Sequence, residues 1–133
     1  MILLIGGDAA LLEGLAQSLA ALGYAPRTAS GVREAHELAA TEPPLIAVVD
    51  SSLAEKSNGD LIALPLAFGG AIVLYHNAGN PPAMLLPSLQ RVVLADLTLP
   101  LERQRLIALV QHVAERARLT GRRRHTPPAE IAP

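Results

Sequence analysis

The residues of this sequence with types suited to acid–base, metal or phosphate chemistry are few and scattered. Asp50 closes the apolar run Leu45 to Val49, and Ser51 and Ser52 follow it directly. Asp8 follows the pair Gly6-Gly7, which ends another apolar run, Ile2 to Ile5. The histidines are His36, His76, His112 and His125. No two have the spacing that sets two ligands on one helical face, and there is no cysteine, so no metal site is expected. A Ser-His-Asp hydrolase needs a nucleophile elbow, and no Gly-x-Ser-x-Gly occurs. Glycines ahead of a helix let an anion approach backbone N–H groups. Gly6, Ala9 and Leu11, however, do not complete the Gly-x-Gly-x-x-Gly of a dinucleotide site. The densest positive charge is Arg122-Arg123-Arg124-His125, preceded by Arg116 and Arg118. It suits phosphate contact, or equally a solvated helix end that complements the helix dipole. Aromatics that would stack bases are not interleaved with it, so nucleic acid is not expected as a partner. These residues give no reason to expect an enzyme or a cofactor.

The elements that must position these residues alternate between strand and helix. Ile2 to Ile5, Leu45 to Val49 and Ala71 to Tyr75 are short continuous apolar runs, the pattern of parallel strands buried on both faces, and Val92 to Leu97, interrupted by Asp96, gives a further strand. Residues 24–29 give a shorter, more polar strand at an edge, because Pro26 lacks a ladder donor. Between them, Leu11, Leu15, Leu19 and Leu22 recur at helical spacing, with Asp8 as N-cap and Gly23 as a stop. A second helix is predicted from a Ser30 cap to about Ala40, before Pro43-Pro44. Residues 51–60 read as a polar loop, 60–67 as a short helix broken at Pro65, and 77–82 as a loop leading to a weak helix ended by Pro87. The best periodic helix follows Pro100, with Leu106, Leu109, Val110, Val113 and Ala117 on one face. From about residue 120 the chain is rich in Arg and Pro, which predicts a flexible tail or linker over 120–133 behind a domain of 1–119.

Composition agrees with one such domain. The chain has 133 residues, 50% of them apolar, and its aromatic side chains are Phe68, Tyr24 and Tyr75. An aliphatic core of this kind suits helices packed on a sheet. The net charge of -1 gives no overall pull toward nucleic acid or anionic lipid. No run is long enough to span a bilayer, and a small cysteine-free domain of this kind is expected in the cytoplasm.

Alternation without hairpin signals implies right-handed crossovers and a doubly wound sheet, whose function gathers at the carboxyl ends of its strands. Those ends carry Gly6-Gly7-Asp8, Asp50, Tyr75-His76-Asn77 and Leu97-Thr98-Leu99-Pro100. In this order they resemble the receiver domains of two-component response regulators, over roughly residues 1–119. The motifs that carry the resemblance are Ile-Ala-Val-Val-Asp50, the joint Asp96-Leu97-Thr98-Leu99-Pro100, and the rhythm of the first strand and helix. The resemblance implies a flavodoxin-like five-stranded parallel sheet of order 2-1-3-4-5. It also implies a phosphoacceptor at Asp50, Mg²⁺ held by an acidic pair at positions 6 and 7, and a lysine at position 99. A hydroxyl falls near Tyr75, or at His76 or Asn77 in a shifted register, and a switch aromatic at position 96. The sequence departs at most of these points, with Gly6, Gly7, Leu99 and Asp96 in the family's functional positions. Asp50 is then either a remnant of the site or a strand end that bonds loop amides.

The expectation is a pseudo-receiver: a phosphorylation-independent interaction module in bacterial signalling. Its partner would be a histidine kinase, an output domain or a second copy of itself, and no membrane is involved. Met84, Leu85 and Leu86, on a short proline-broken helix, are the expected partner face, with packing against the sheet as their alternative role. Two other functions stay open. One is a sensor of an anionic small molecule such as a cyclic dinucleotide, bound in the vacated pocket or on the arginines. The other is residual phosphorylation at Asp50.

Overall fold

The computed structural model describes residues 1–77, Leu85 and residues 87–131. Five strands form one parallel sheet: β1 Ile2–Ile5, β2 Pro26–Ala29, β3 Ile46–Asp50, β4 Ala71–Asn77 and β5 Val93–Leu99. Their order is β2-β1-β3-β4-β5, the order that the resemblance to receiver domains implies. β1, β3 and most of β4 are buried on both faces, which is why they read as continuous apolar runs. β2 is the polar edge strand that Pro26 announces.

Helices cover both faces. α1 (Ala9–Ala21) starts at Asp8, whose carboxylate accepts the Leu11 N–H at 3.1 Å. It buries Leu12, Leu15 and Leu19, while Leu22, placed on the buried stripe by spacing alone, lies exposed beyond the helix end. α1 and α6 (Arg103–Ile131) pack on one sheet face, where Leu4, Val48, Val73 and Leu97 meet Leu106, Val110 and Val113. On the opposite face, Leu3, Ile5, Val49 and Leu74 meet α2 (Val32–Thr41) and the short helices α3 (Ser51–Lys56), α4 (Asn58–Ile62) and α5 (Pro87–Gln90). Fully burying each such aliphatic side chain is worth roughly 1.5–3 kcal/mol, so these two layers hold the strand ends in place.

Several local expectations are corrected. α2 is capped at Gly31, one residue later than Ser30; Ser30 instead donates its N–H and hydroxyl to Glu34, at 3.1 and 3.0 Å. The stretch expected as a polar loop, 51–60, is largely helical. Asp50 caps α3, and Ala54 and Leu61 bury against the sheet among otherwise polar neighbours. β5 runs Val93–Leu99, two residues beyond the expected end, because its pairing continues through His76↔Thr98 and Asn77↔Leu99. α6 runs on to Ile131, through the stretch that the sequence reads as a tail.

Candidate functional site

The carboxyl ends of β1, β3 and β4 converge as the topology requires. Register sets Asp50 level with Tyr75, and β1 lies beside β3 with Ile5 level with Val49. Gly6, Asp50 and Tyr75 therefore meet at one point above the sheet.

Tyr75 dominates that point. Its side chain is 2% exposed and belongs to the core layer that also holds Leu97 and Leu99. Its phenol is directed at Gly6: a Cβ built there would lie 2.0 Å from the Tyr75 hydroxyl oxygen and 3.2 Å from the ring carbon that bears it. The same Cβ would come within 3.5 Å of the Asp50 Cβ. Any side chain at position 6 would thus occupy space that the phenol fills. The Tyr75 hydroxyl is buried without a hydrogen-bond partner among the described residues. Burial first, and then the charges of Asp50 and Asp8, push its pKa above the ordinary tyrosine range.

Asp50 is committed locally. Its Oδ1 accepts both the Ser52 N–H and the Ser52 hydroxyl, each at 2.9 Å, which is the N-cap of α3. Of its two sequence-level roles, the structure shows the loop-amide acceptor. Asp8 is the cap of α1, and Gly7 is exposed with open space where a side chain would begin. Leu99 is fully buried, so hydrocarbon stands at the position where the resemblance implies a lysine.

Asp96 and His76 form a second polar group that sequence reasoning does not bring together. Cross-strand pairing sets His76 opposite Thr98, with Asp96 one step along the same face. His76 Nδ1 lies 2.9 Å from Asp96 Oδ1, and His76 Nε2 lies 3.1 Å from Thr98 Oγ1. The buried Ser51 hydroxyl reaches the same Asp96 oxygen at 3.5 Å. At the position of the implied switch aromatic there is instead a chain of polar groups tying α3, β4 and β5 together. Its signal in the sequence is a His and an Asp–Thr pair in adjacent strands, recognisable only once the register is known.

Two further expectations are tested here. Leu85 packs half-buried against the core layer of Val49 and Leu74, which is the packing role that the sequence left as its alternative. Met84 and Leu86 lie outside the described residues. The cleft beside Gly6 and Gly7, about 220 Å³, is lined by Glu13 and Glu34, the wrong sign for an anion.

No family model and no curated protein matches the sequence. Solved structures do match by fold. The N-terminal domain of a response regulator/sensory box/GGDEF 3-domain protein from Carboxydothermus hydrogenoformans matches with a TM-score of 0.70 at 15% identity, over 90% of this chain and 97% of that one. A response regulator from Burkholderia pseudomallei, solved with a phosphorylated aspartic acid, calcium ion and citrate, gives 0.65 at 23% identity, over 93% of this chain and 74% of that one. NtrX from Brucella abortus gives 0.65 at 17% identity over 90% of this chain, which spans only 27% of the NtrX chain. The fold is that of response-regulator receiver domains.

The resemblance to receivers also implies a divalent cation, and the residues present do not fit one. Mg²⁺ is held by hard oxygen donors, usually carboxylates. Positions 6 and 7 supply no side-chain oxygen, the Tyr75 phenol fills the space above Gly6, and one Asp50 oxygen is engaged with Ser52. Among the described residues, no three His, Asp or Glu side chains are grouped to hold a metal.

Proposed function

We propose that this chain is a pseudo-receiver: a receiver scaffold that regulates or localises a signalling protein through its surface, without phosphoryl chemistry and without an enzymatic activity of its own. The observation that carries this reading is the packing of the Tyr75 phenol into the space above Gly6. Receiver phosphorylation needs a cation to gather oxygens and offset developing charge. Here a bulky, poorly ionised ring takes that place, and Leu99 leaves no cation to pair with phosphoryl oxygens. The Burkholderia pseudomallei regulator of the same fold carries a phosphorylated aspartic acid. In this chain Asp50 serves as a helix cap.

The partner on this reading is a histidine kinase, an output domain or a second copy of the chain. Leu101, exposed just beyond the end of β5, offers apolar surface for such a contact. No helix among the described residues is long and apolar enough to cross a membrane. We place the module in the cytoplasm, where two-component signalling operates.

The test is incubation with acetyl phosphate and Mg²⁺, read by intact mass. The expected result is no added phosphoryl group. An adduct that disappears in Asp50→Asn would overturn the reading and establish Asp50 as a working acceptor.

A further inference from the structure

The outer edge of the sheet at β2 carries a groove that crosses from α1 to α2. Its volume is about 410 Å³, within the range of roughly 300–1,000 Å³ usual for ligand sites. Register decides which side chain faces which helix. Thr28 is level with Leu4, on the sheet face that packs on α1, and shares the groove there with Glu13 and Ala16. Arg27 is level with Leu3, on the face that packs on α2, and shares the groove there with Glu34 and Leu38.

The backbone of β2 adds a second set of groups. The carbonyls of Ala25 and Ala29 accept from the N–H groups of Ile2 and Gly6, each at 3.0 Å, and so face β1. Alternation along the strand turns the N–H and C=O of Thr28 the other way, into the open edge. Pro26, the other outward-facing residue, has no N–H to offer. One donor and one acceptor from a single residue therefore face the groove, with a carboxylate on one side and a guanidinium on the other. Glu13 and Arg27 are exposed, and neither forms an ion pair or side-chain hydrogen bond among the described residues. Glu34 turns one oxygen, Oε2, to the Ser30 N–H and hydroxyl. Paired charges of opposite sign around one outward peptide unit are the complement of a zwitterion.

We propose that this groove binds a free α-amino acid with an apolar side chain. The ammonium donates to the Glu13 carboxylate and the Thr28 carbonyl. The carboxylate accepts from Arg27 and the Thr28 N–H, and the side chain rests on Leu38. A longer extended peptide fits less well, because Pro26 breaks the row of donors that strand addition uses. Neither Asp50 nor Tyr75 lines the groove, so the site is independent of the phosphoryl question.

L-Leucine is the probe, with N-acetylleucine, which lacks the ammonium, and leucinamide, which lacks the carboxylate, as controls. Each is titrated into the isotope-labelled full chain while backbone amide spectra are recorded. Leucine should give saturable shifts at Glu13, Arg27, Thr28 and Leu38, and both controls should bind more weakly. Arg27→Gln and Glu13→Gln, both at exposed side chains, should each weaken leucine by about tenfold, the loss expected of a charge-assisted pair. The remainder of the spectrum should stay unchanged in both. Absence of saturable shifts, a control that binds as tightly as leucine, or parental affinity in either variant would overturn the proposal. Tighter binding of trileucine than of leucine would also overturn it, in favour of a peptide groove.

Discussion

At the scale of single residues, Gly6 and Tyr75 form a pair whose sizes are coupled. Gly6→Ala sets a methyl 2.0 Å from the Tyr75 hydroxyl oxygen, so one of the two must move. Overpacking of this kind costs about 1–3 kcal/mol, and chemical denaturation should show the loss. Tyr75→Phe removes the oxygen that clashes and a buried hydroxyl without a partner among the described residues. That single change is expected to be neutral or stabilising by about 1 kcal/mol. In the double variant the cost of Gly6→Ala should shrink, a coupling that a double-mutant cycle measures. Tyr75 also sets a pH dependence. Its pKa is raised in the folded chain, so its stabilising contribution is complete below the unfolded value of about 10 and declines as pH rises past it. Alkaline unfolding should therefore move to higher pH in Tyr75→Phe. The sequence places Gly6, Asp50 and Tyr75 at neighbouring strand ends, because strand ends are legible from apolar runs. It cannot show that the phenol turns onto Gly6, since a rotamer is decided by the tertiary packing around it.

At the scale of elements, Asp50 belongs to α3 as much as to β3. As an N-cap it predicts a contrast between two substitutions. Asp50→Ala should cost about 1 kcal/mol, while Asp50→Asn, which caps equally well, should unfold near the parent temperature. The same contrast would not arise for a carboxylate needed only for its charge. The buried strands are readable because burial on both faces writes an unbroken apolar run. α3 and α4 are not, because the exposed Ser52, Glu55, Lys56, Gly59, Asp60 and Ile62 outnumber the buried Ser51, Ala54 and Leu61. The His76–Asp96–Thr98 chain is hidden for a different reason: it depends on a β4–β5 register that no local pattern fixes. Leu85 packs half-buried, which makes Leu85→Asp a disruption of the fold. Leu101→Asp, on an exposed side chain, should leave stability within about 0.5 kcal/mol. If β5 docks a partner, it is this variant that should lose binding.

At the scale of the molecule, a receiver sheet stands intact with hydrocarbon and phenol where charge and metal ligands would be needed. Gly6, Leu99 and Asp96 each enter a packing or pairing arrangement of this chain's own, while Gly7 lies open. Gly6 makes room for Tyr75, Tyr75 and Leu99 complete the core layer, and Asp96 pairs with His76 at the neighbouring strand ends. The most direct measurement is a titration of the chain with Mg²⁺ and beryllofluoride, an aspartyl-phosphate mimic, followed through the backbone amides of Gly6, Gly7, Asp50 and Tyr75. The account predicts that these signals stay where they are. Saturable shifts at Gly6, Gly7 and Asp50 would show a working metal and phosphoryl site and contradict it.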